Sequence, residues 1–106
     1  ALSRGRDLYS LFVSHEAPPG HILRVGRSPQ VTGPYFDREG KQMTIGGGTR
    51  VFNDDDTFTG PGSNMVFDDG KQRLNVYHAY NATGDIRLRI AQLFFDQAGW
   101  PVSAGP

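Results

Sequence analysis

The chain has 106 residues, no cysteine, and a formal net charge of zero at pH 7 from eleven basic and eleven acidic residues. This length allows one small domain with a modest core, and the missing cysteine excludes disulfide scaffolds and thiolate metal sites but leaves the localisation undecided. The interspersed charges argue against nucleic acid or an anionic membrane as a partner, and no apolar run approaches the roughly 20 residues of a membrane span, so we expect a soluble chain with a neutral ligand.

Short apolar and aromatic runs, separated by Gly, Pro, Asp and Asn, predict an all-β chain, because no stretch keeps the 3.6-residue period of a helix. In the first half the predicted strands are residues 8–14, 21–27, 35–36 and 49–52, with a loop at 16–20 that joins the first two as a hairpin. In the second half they are residues 65–67, 74–80 and 86–95, with turns at 68–70 and 81–84. The last two strands are expected to pair as a hairpin.

A glycine run at residues 46–48 lies between these halves. Glycine reaches backbone conformations that a side chain forbids, so this run is the predicted crossing from one sheet to the next. A Phe-Asp pair precedes a turn three times, beginning at Phe36, Phe67 and Phe95. The recurrence indicates a repeated β unit of roughly 30 residues.

Six short motifs follow one another along the chain: residues 11–14 (LFVS), 24–28 (RVGRS), 32–35 (TGPY), 46–49 (GGGT), 60–67 (GPGSNMVF) and 74–80 (LNVYHAY). With these residues the chain resembles the C-terminal part of the family 43 glycoside hydrolases, especially the arabinanases, from about Leu8 to Pro101. The resemblance implies a five-bladed β-propeller, of which a chain of this length can supply about two blades. Residues 1–45 would then hold strands of the penultimate blade, and residues 46–106 those of the last.

The resemblance also implies a reaction, the hydrolysis of a glycosidic bond with inversion. One carboxylic acid protonates the leaving oxygen, and a carboxylate about 6.5–9.5 Å away activates water on the opposite face of the sugar. The family's acid, its base and the carboxylate that tunes the acid would all precede Ala1, so no catalytic residue is expected in this chain. Glu16 begins the same Glu-Ala-Pro sequence that often surrounds the family's acid, but it follows the LFVS strand instead of preceding it. We expect Glu16 to be a solvated loop carboxylate.

Ser63 departs from the family, in which a histidine commonly stands at this position and holds a hydrated metal ion in the central channel. A hydroxyl is a poorer metal ligand than imidazole, so this residue argues against the Ca²⁺ ion that the assembled propeller would otherwise hold. We assign no metal ligand. The acidic run Asp54, Asp55 and Asp56 lacks the rest of a calcium loop and is interpreted as a solvated turn.

Three residues are predicted to lie near the substrate channel: Ser63, Asn64 and His78. The alternative for Ser63 and Asn64 is a structural Gly-Pro-Gly turn, and the favoured alternative for His78 is a buried, hydrogen-bonded side chain within its strand. His15 and His21 flank the first loop and are expected to be exposed. Trp100 precedes Pro101 and is expected to pack rather than to stack on a sugar.

The predicted function is that of the C-terminal portion of an inverting hydrolase for arabinan or arabino-oligosaccharides, active only when the N-terminal blades complete it. The expected partners are an arabinose-containing saccharide and either an N-terminal propeller chain or copies of the same chain, since an isolated blade exposes sheet faces and edges. Two other functions remain open. One is a carbohydrate-binding module that does not hydrolyse, and the other is a self-assembling structural chain.

Overall fold

The computed structural model describes residues 1–5, 7–17, 20–52 and 57–105. Within these residues eight strands form two four-stranded antiparallel sheets, which confirms the all-β prediction. The first sheet has the order β1 (Leu2–Arg4), β2 (Tyr9–Ala17), β3 (Gly20–Ser28) and β4 (Thr49–Arg50). The second has the order β5 (Thr59–Asp68), β6 (Arg73–Tyr80), β7 (Ile86–Phe95) and β8 (Pro101–Ser103). A single 3₁₀ turn, Met43–Ile45, interrupts the described strands.

The hairpin of β2 and β3 forms the middle of the first sheet. Phe12 pairs with Val25 and Ser14 pairs with Leu23, so the alternating side chains of these strands reach the same face. Phe12, Leu23 and Val25 are all buried there. Both strands extend further than the sequence predicts, because the pairing continues to Ala17 opposite Gly20 and leaves a shorter connection than a loop over 16–20.

The first sheet continues beyond the glycine run. Thr49 pairs with Val25, and Arg50 pairs with Arg24. Val51 then donates its N–H to the carbonyl of Leu23 and buries its side chain in the core. The chain therefore leaves the first sheet after Arg50 and enters the second at Thr59, later than the crossing that the sequence predicts at residue 46. Before it crosses, Thr49 and Val51 pair with the backbone of β3.

The second sheet is built on β6, whose alternate residues are buried and face the first sheet: Asn75, Tyr77 and Ala79. Its hairpin with β7 runs from Tyr80 opposite Ile86 to Arg73 opposite Leu93, as predicted. One continuous core joins the two sheets and consists of Phe12, Leu23, Val25, Val51, Phe52, Tyr77, Ala79, Leu93 and Trp100. The sheets thus fold as a face-to-face pair with a shared interior.

Three aspartates fix the turns that follow the Phe-Asp pairs. The carboxylate of Asp37 accepts N–H groups from Glu39, Lys41 and Gly48, and that of Asp96 accepts those of Ala98 and Trp100. Asp68 accepts the N–H of Gly70. Such side-chain to backbone bonds stabilise tight turns, so the repeat seen in the sequence is a repeat of turn chemistry. Among the residues described above, no helix is long and apolar enough to cross a membrane.

Candidate functional site

The N-terminal half of β5 lies against the start of β3. A Cβ atom on Gly20 would come within 2.7 Å of the Gly60 Cα atom, and one on Gly62 would come within 2.8 Å of the Cβ of His21. Only glycine permits this approach of the two backbones. The glycines of the GPG motif therefore join the two sheets, and they set the position of the residues that follow.

Ser63 follows directly and stands in a left-handed conformation, with φ of 50°. The pairing of β5 with β6 shifts register on both sides of Gly62, which is the signature of a bulge. The backbone N–H of Ser63 donates to the hydroxyl of Ser14 on β2 at 2.5 Å, and the residue itself is exposed. The bulge and this bond turn Ser63 away from the regular ladder and present it at the free edge of the second sheet.

Asn64 has a structural partner. Its side-chain amide donates to Oδ1 of Asn75 at 2.9 Å, and the amide of Asn75 donates in turn to the hydroxyl of Ser103 at 3.2 Å. Asn75 is completely buried. Because a buried amide is costly unless its groups are paired, this chain of bonds anchors β5 to β6 and β8. It fixes the backbone on which Ser63 stands.

His78 lies beside this segment, since it pairs with Gly62 in the β5–β6 ladder. Its ring contacts that of His21 edge to face, with 5.2 Å between the centroids, and that of Tyr80 at 5.8 Å. Nδ1 of His21 and Nε2 of His78 are buried and have no hydrogen-bond partner among the residues that the structure describes. Burial, followed by the charge of His21, lowers the pKa of His78, so the neutral imidazole is favoured.

His21 is therefore not the exposed residue that the sequence predicts, because Gly62 leaves room for its ring between the two sheets. The structure gathers four side chains around the bulge: Ser14, His21, Ser63 and His78. Of the predicted channel residues, Ser63 is at the surface, Asn64 is held by Asn75, and His78 is half-buried. No local signal in the sequence identifies Ser14 or His21, since both reach the bulge only through contact between sheets.

Glu16 lies at the exposed end of β2, where it pairs with His21 across the hairpin. It is thus a strand residue at the rim, not part of a loop. The acidic run at 54–56 lies outside the described residues. In the part of the chain that the structure describes, no cluster of three or more His, Cys, Asp or Glu side chains could hold a metal ion.

A calcium ion prefers six to eight oxygen ligands. Around the bulge, the described side chains offer two hydroxyls and two imidazoles, and no carboxylate joins them in a metal-binding cluster. The described residues around the bulge do not form a calcium site by themselves.

No family model matches the chain. It is 40% identical over 106 residues to an extracellular exo-α-(1→5)-L-arabinofuranosidase of Cellvibrio japonicus, a match that covers 92% of this chain and 30% of that enzyme. An extracellular endo-α-(1→5)-L-arabinanase of Bacillus subtilis is 40% identical over 81 residues, which cover 74% of this chain and 24% of the relative. The chain thus spans less than a third of the length of these two relatives.

Solved structures give the same result for the fold. The arabinanase of Cellvibrio cellulosa, in complex with arabinohexaose, superposes with a TM-score of 0.89 and 35% identity over 96% of this chain and 35% of that one. An exo-1,5-α-L-arabinanase from a bovine ruminal metagenomic library also gives a TM-score of 0.89, with 34% identity over 99% of this chain and 36% of that one. The two sheets correspond to two blades of a larger propeller.

Proposed function

Because this chain belongs to the family 43 glycoside hydrolases of the arabinanase and arabinofuranosidase type, we propose that it forms the C-terminal blades of an inverting enzyme that hydrolyses arabinan or arabino-oligosaccharides. Hydrolysis requires the remaining blades, which supply the catalytic carboxylates. The observation that carries this proposal is the similarity to arabinan-degrading enzymes, over 74–99% of this chain and at 34–40% identity.

An exposed apolar face on the second sheet supports the need for further blades. Met65, Val76 and Ile90 stand side by side on β5, β6 and β7, and Met65 and Ile90 are 67% and 60% exposed. Leu88 on the same face is 72% exposed. The opposite face of this sheet packs on the first sheet. An apolar sheet face of this kind is stabilised when another sheet covers it, as happens between successive blades.

The reaction places two demands on the completed enzyme. A protonated carboxyl gives its proton to the leaving glycosidic oxygen, while a carboxylate takes a proton from the attacking water, and the new bond forms on the opposite face of the sugar. Neither role falls to this chain. Its contribution is to hold the inner edge of its last blade in place through Ser14, Asn64 and Asn75, and to present Ser63 there as a hydroxyl that can donate to or accept from a sugar.

A comparison of two samples tests the proposal. We expect no release of reducing sugar from linear arabinan by the 106 residues alone, and hydrolysis by the same residues joined to the blades that precede them in the propeller. Native mass spectrometry of each sample gives its composition. Hydrolysis by these residues alone would contradict the proposal and direct attention to Glu16. Binding of arabinan by the completed propeller without hydrolysis would instead favour the carbohydrate-binding module.

Leu88 tests the role of the apolar face. Leu88→Lys places a charge at its most exposed position, so we expect loss of hydrolysis when separately produced blades are mixed, with the fold of this chain retained by circular dichroism. The control is Arg87→Lys, a neighbouring exposed position that keeps its charge. If the Leu88→Lys chain gives full hydrolysis when it is mixed with the other blades, this apolar face is not covered in the enzyme. A homogeneous ring built from this chain alone would favour the self-assembling alternative.

A further inference from the structure

A cavity of about 680 Å³ opens between the two sheets at the end away from Ser63. Its wall includes Asp68 and Arg73, at the turn that ends β5 and begins β6. Asp68 lies five positions beyond Ser63 along β5, and at roughly 3.3 Å per residue this puts the cavity on the order of 15 Å from the bulge. The cavity is therefore distinct from the site described above.

The cavity exists because the shared core ends before the sheets do. Ser10 and Arg27 are the next residues on the inner face of the first sheet beyond Phe12 and Val25, and Arg73 is the next on β6 beyond Asn75. These polar side chains replace the apolar core and line the cavity. Two bonds bridge it: Nη1 of Arg27 donates to the carbonyl of Ala98 at 2.8 Å, and Nη2 of Arg73 donates to that of Arg4 at 3.2 Å.

Most charged groups of the wall are already engaged. Nε of Arg73 lies 3.5 Å from Oδ2 of Asp68, and its guanidinium lies 5.1 Å from the centroid of the Phe95 ring. Asp7 and Lys71 also line the wall but are not engaged in this way. Within the described part of the chain, neither side chain makes a hydrogen bond or an ion pair. The cavity thus offers one unused carboxylate acceptor and one unused ammonium donor.

We propose that this cavity is a second binding site for a neutral oligosaccharide. Hydroxyl groups can donate to Asp7 and accept from Lys71, and the partly exposed Phe95 gives an apolar surface for the C–H groups of a sugar ring. An anionic ligand would be opposed by Asp7 and Asp68, and a cationic one by Lys71 and the two arginines. The volume falls within the range of about 300–1,000 Å³ that ligand pockets occupy.

This site deepens the proposed function and rests on it for the identity of the sugar. A polymer such as arabinan is long enough to engage the catalytic channel and a second place on the same molecule. Two contacts on one polymer raise the effective concentration of substrate, so the second site would favour long chains over short ones.

Arabinohexaose serves as the probe in an NMR titration of the native protein. We expect the amide resonances of Lys71, Arg73 and Phe95 to shift on addition of the sugar, a result that needs no variant. We also expect Asp7→Ala and Lys71→Ala each to weaken binding at these resonances about fivefold, the loss expected for one hydrogen bond. The matched controls are Glu39→Ala and Lys41→Ala, which remove the same charges from an exposed turn outside the cavity and should leave the binding unchanged.

The outcomes separate this inference from the proposed function. Shifts near the cavity that the two variants reduce would support the second site, even if the completed propeller hydrolyses nothing. Hydrolysis of arabinan with no shift at Lys71, Arg73 or Phe95 would overturn the second site and leave the proposed function intact. Equal weakening by the control variants would also overturn it, since the effect would then not depend on groups that line the cavity.

Discussion

The guanidinium of Arg27 lies 3.9 Å from the centroid of the Trp100 ring, so the last residues of β3 and the entry to β8 are clasped together. The same side chain donates to the carbonyl of Ala98. On the other side of the clasp Arg38 pairs with Asp96, whose carboxylate also accepts the N–H of Trp100. Trp100 is buried as predicted, with 5% of its surface exposed. This contact ties the outer part of one sheet to the outer part of the other.

Arg27→Ala should lower the free energy of unfolding by about 1–3 kcal/mol, because it removes a cation–π contact and a hydrogen bond that joins the sheets. Urea denaturation followed by Trp100 fluorescence measures the change. Arg27→Lys should have a free energy of unfolding between those of the wild type and Arg27→Ala, since an ammonium keeps the charge but not the planar stacking surface. Arg50→Ala removes an exposed arginine of β4 and is the control. An equal effect of Arg50→Ala would show that net charge, not the clasp, is responsible.

Asp37→Asn should also destabilise the fold, by about 1–3 kcal/mol at neutral pH. Oδ2 of Asp37 accepts the N–H of Gly48 at 2.9 Å, and an amide nitrogen placed there would oppose that donor. Hydrogen bonds from the backbone of Gly48 and then Lys41 lower the pKa of Asp37. The stability from this carboxylate is therefore complete above its unfolded pKa of about 4 and is lost as the pH falls through the lower folded value.

Urea denaturation of both proteins between pH 7 and pH 2 measures this dependence. The wild-type chain should lose its advantage over Asp37→Asn at the acid end of the range. Glu39→Gln, at an exposed position of the same turn, is the control. A constant difference between wild type and Asp37→Asn at every pH would contradict the assignment.

We expect His78 to cause a second pH dependence of the free energy of unfolding, at higher pH than that of Asp37. Its folded pKa lies below the unfolded value of about 6.5, so the unfolded chain binds more protons as the medium is acidified. Stability from this group is complete above pH 6.5 and is lost as the pH falls toward the folded pKa. The groups near it are His21 and Tyr80, with Glu16 paired to His21 at the rim. His78→Gln should flatten the stability profile between pH 8 and pH 5, measured by urea denaturation, whereas His15→Gln should not.

Gly62→Ala should cost about 1–3 kcal/mol, because the added methyl group would meet the side chain of His21. The same substitution in a His21→Gly background should cost less, since the Cβ atom and the ring that obstruct the methyl group are both gone. A double-mutant cycle by chemical denaturation measures this coupling. Additive effects would mean that the two residues do not compete for one space.

The alternation of apolar residues was sufficient to predict β2, β3, β6 and β7, and turn residues placed most of their connections. The short strands β1 and β8 were not predicted, because three residues are too few to show an alternation of apolar and polar side chains. Thr49 was assigned to the second blade although it completes the first sheet, since a glycine run shows that the chain bends but not when it leaves a sheet. The position of His21 depends on a contact between sheets, which no local pattern contains.

The edges of the two sheets limit how this architecture can grow. Three of the four edge strands are short: β4 has two residues, and β1 and β8 have three each. β8 also begins at Pro101, which has no N–H to donate. The long edge of β5 is interrupted by Pro61 and by the left-handed turn at Ser63. None of these edges offers a regular ladder to a neighbouring strand, so a ribbon that extends sideways into fibrils is disfavoured. Further sheets can therefore pack only on the faces of these two. When each sheet is rotated relative to the one before it, such a stack closes into a ring of fixed size.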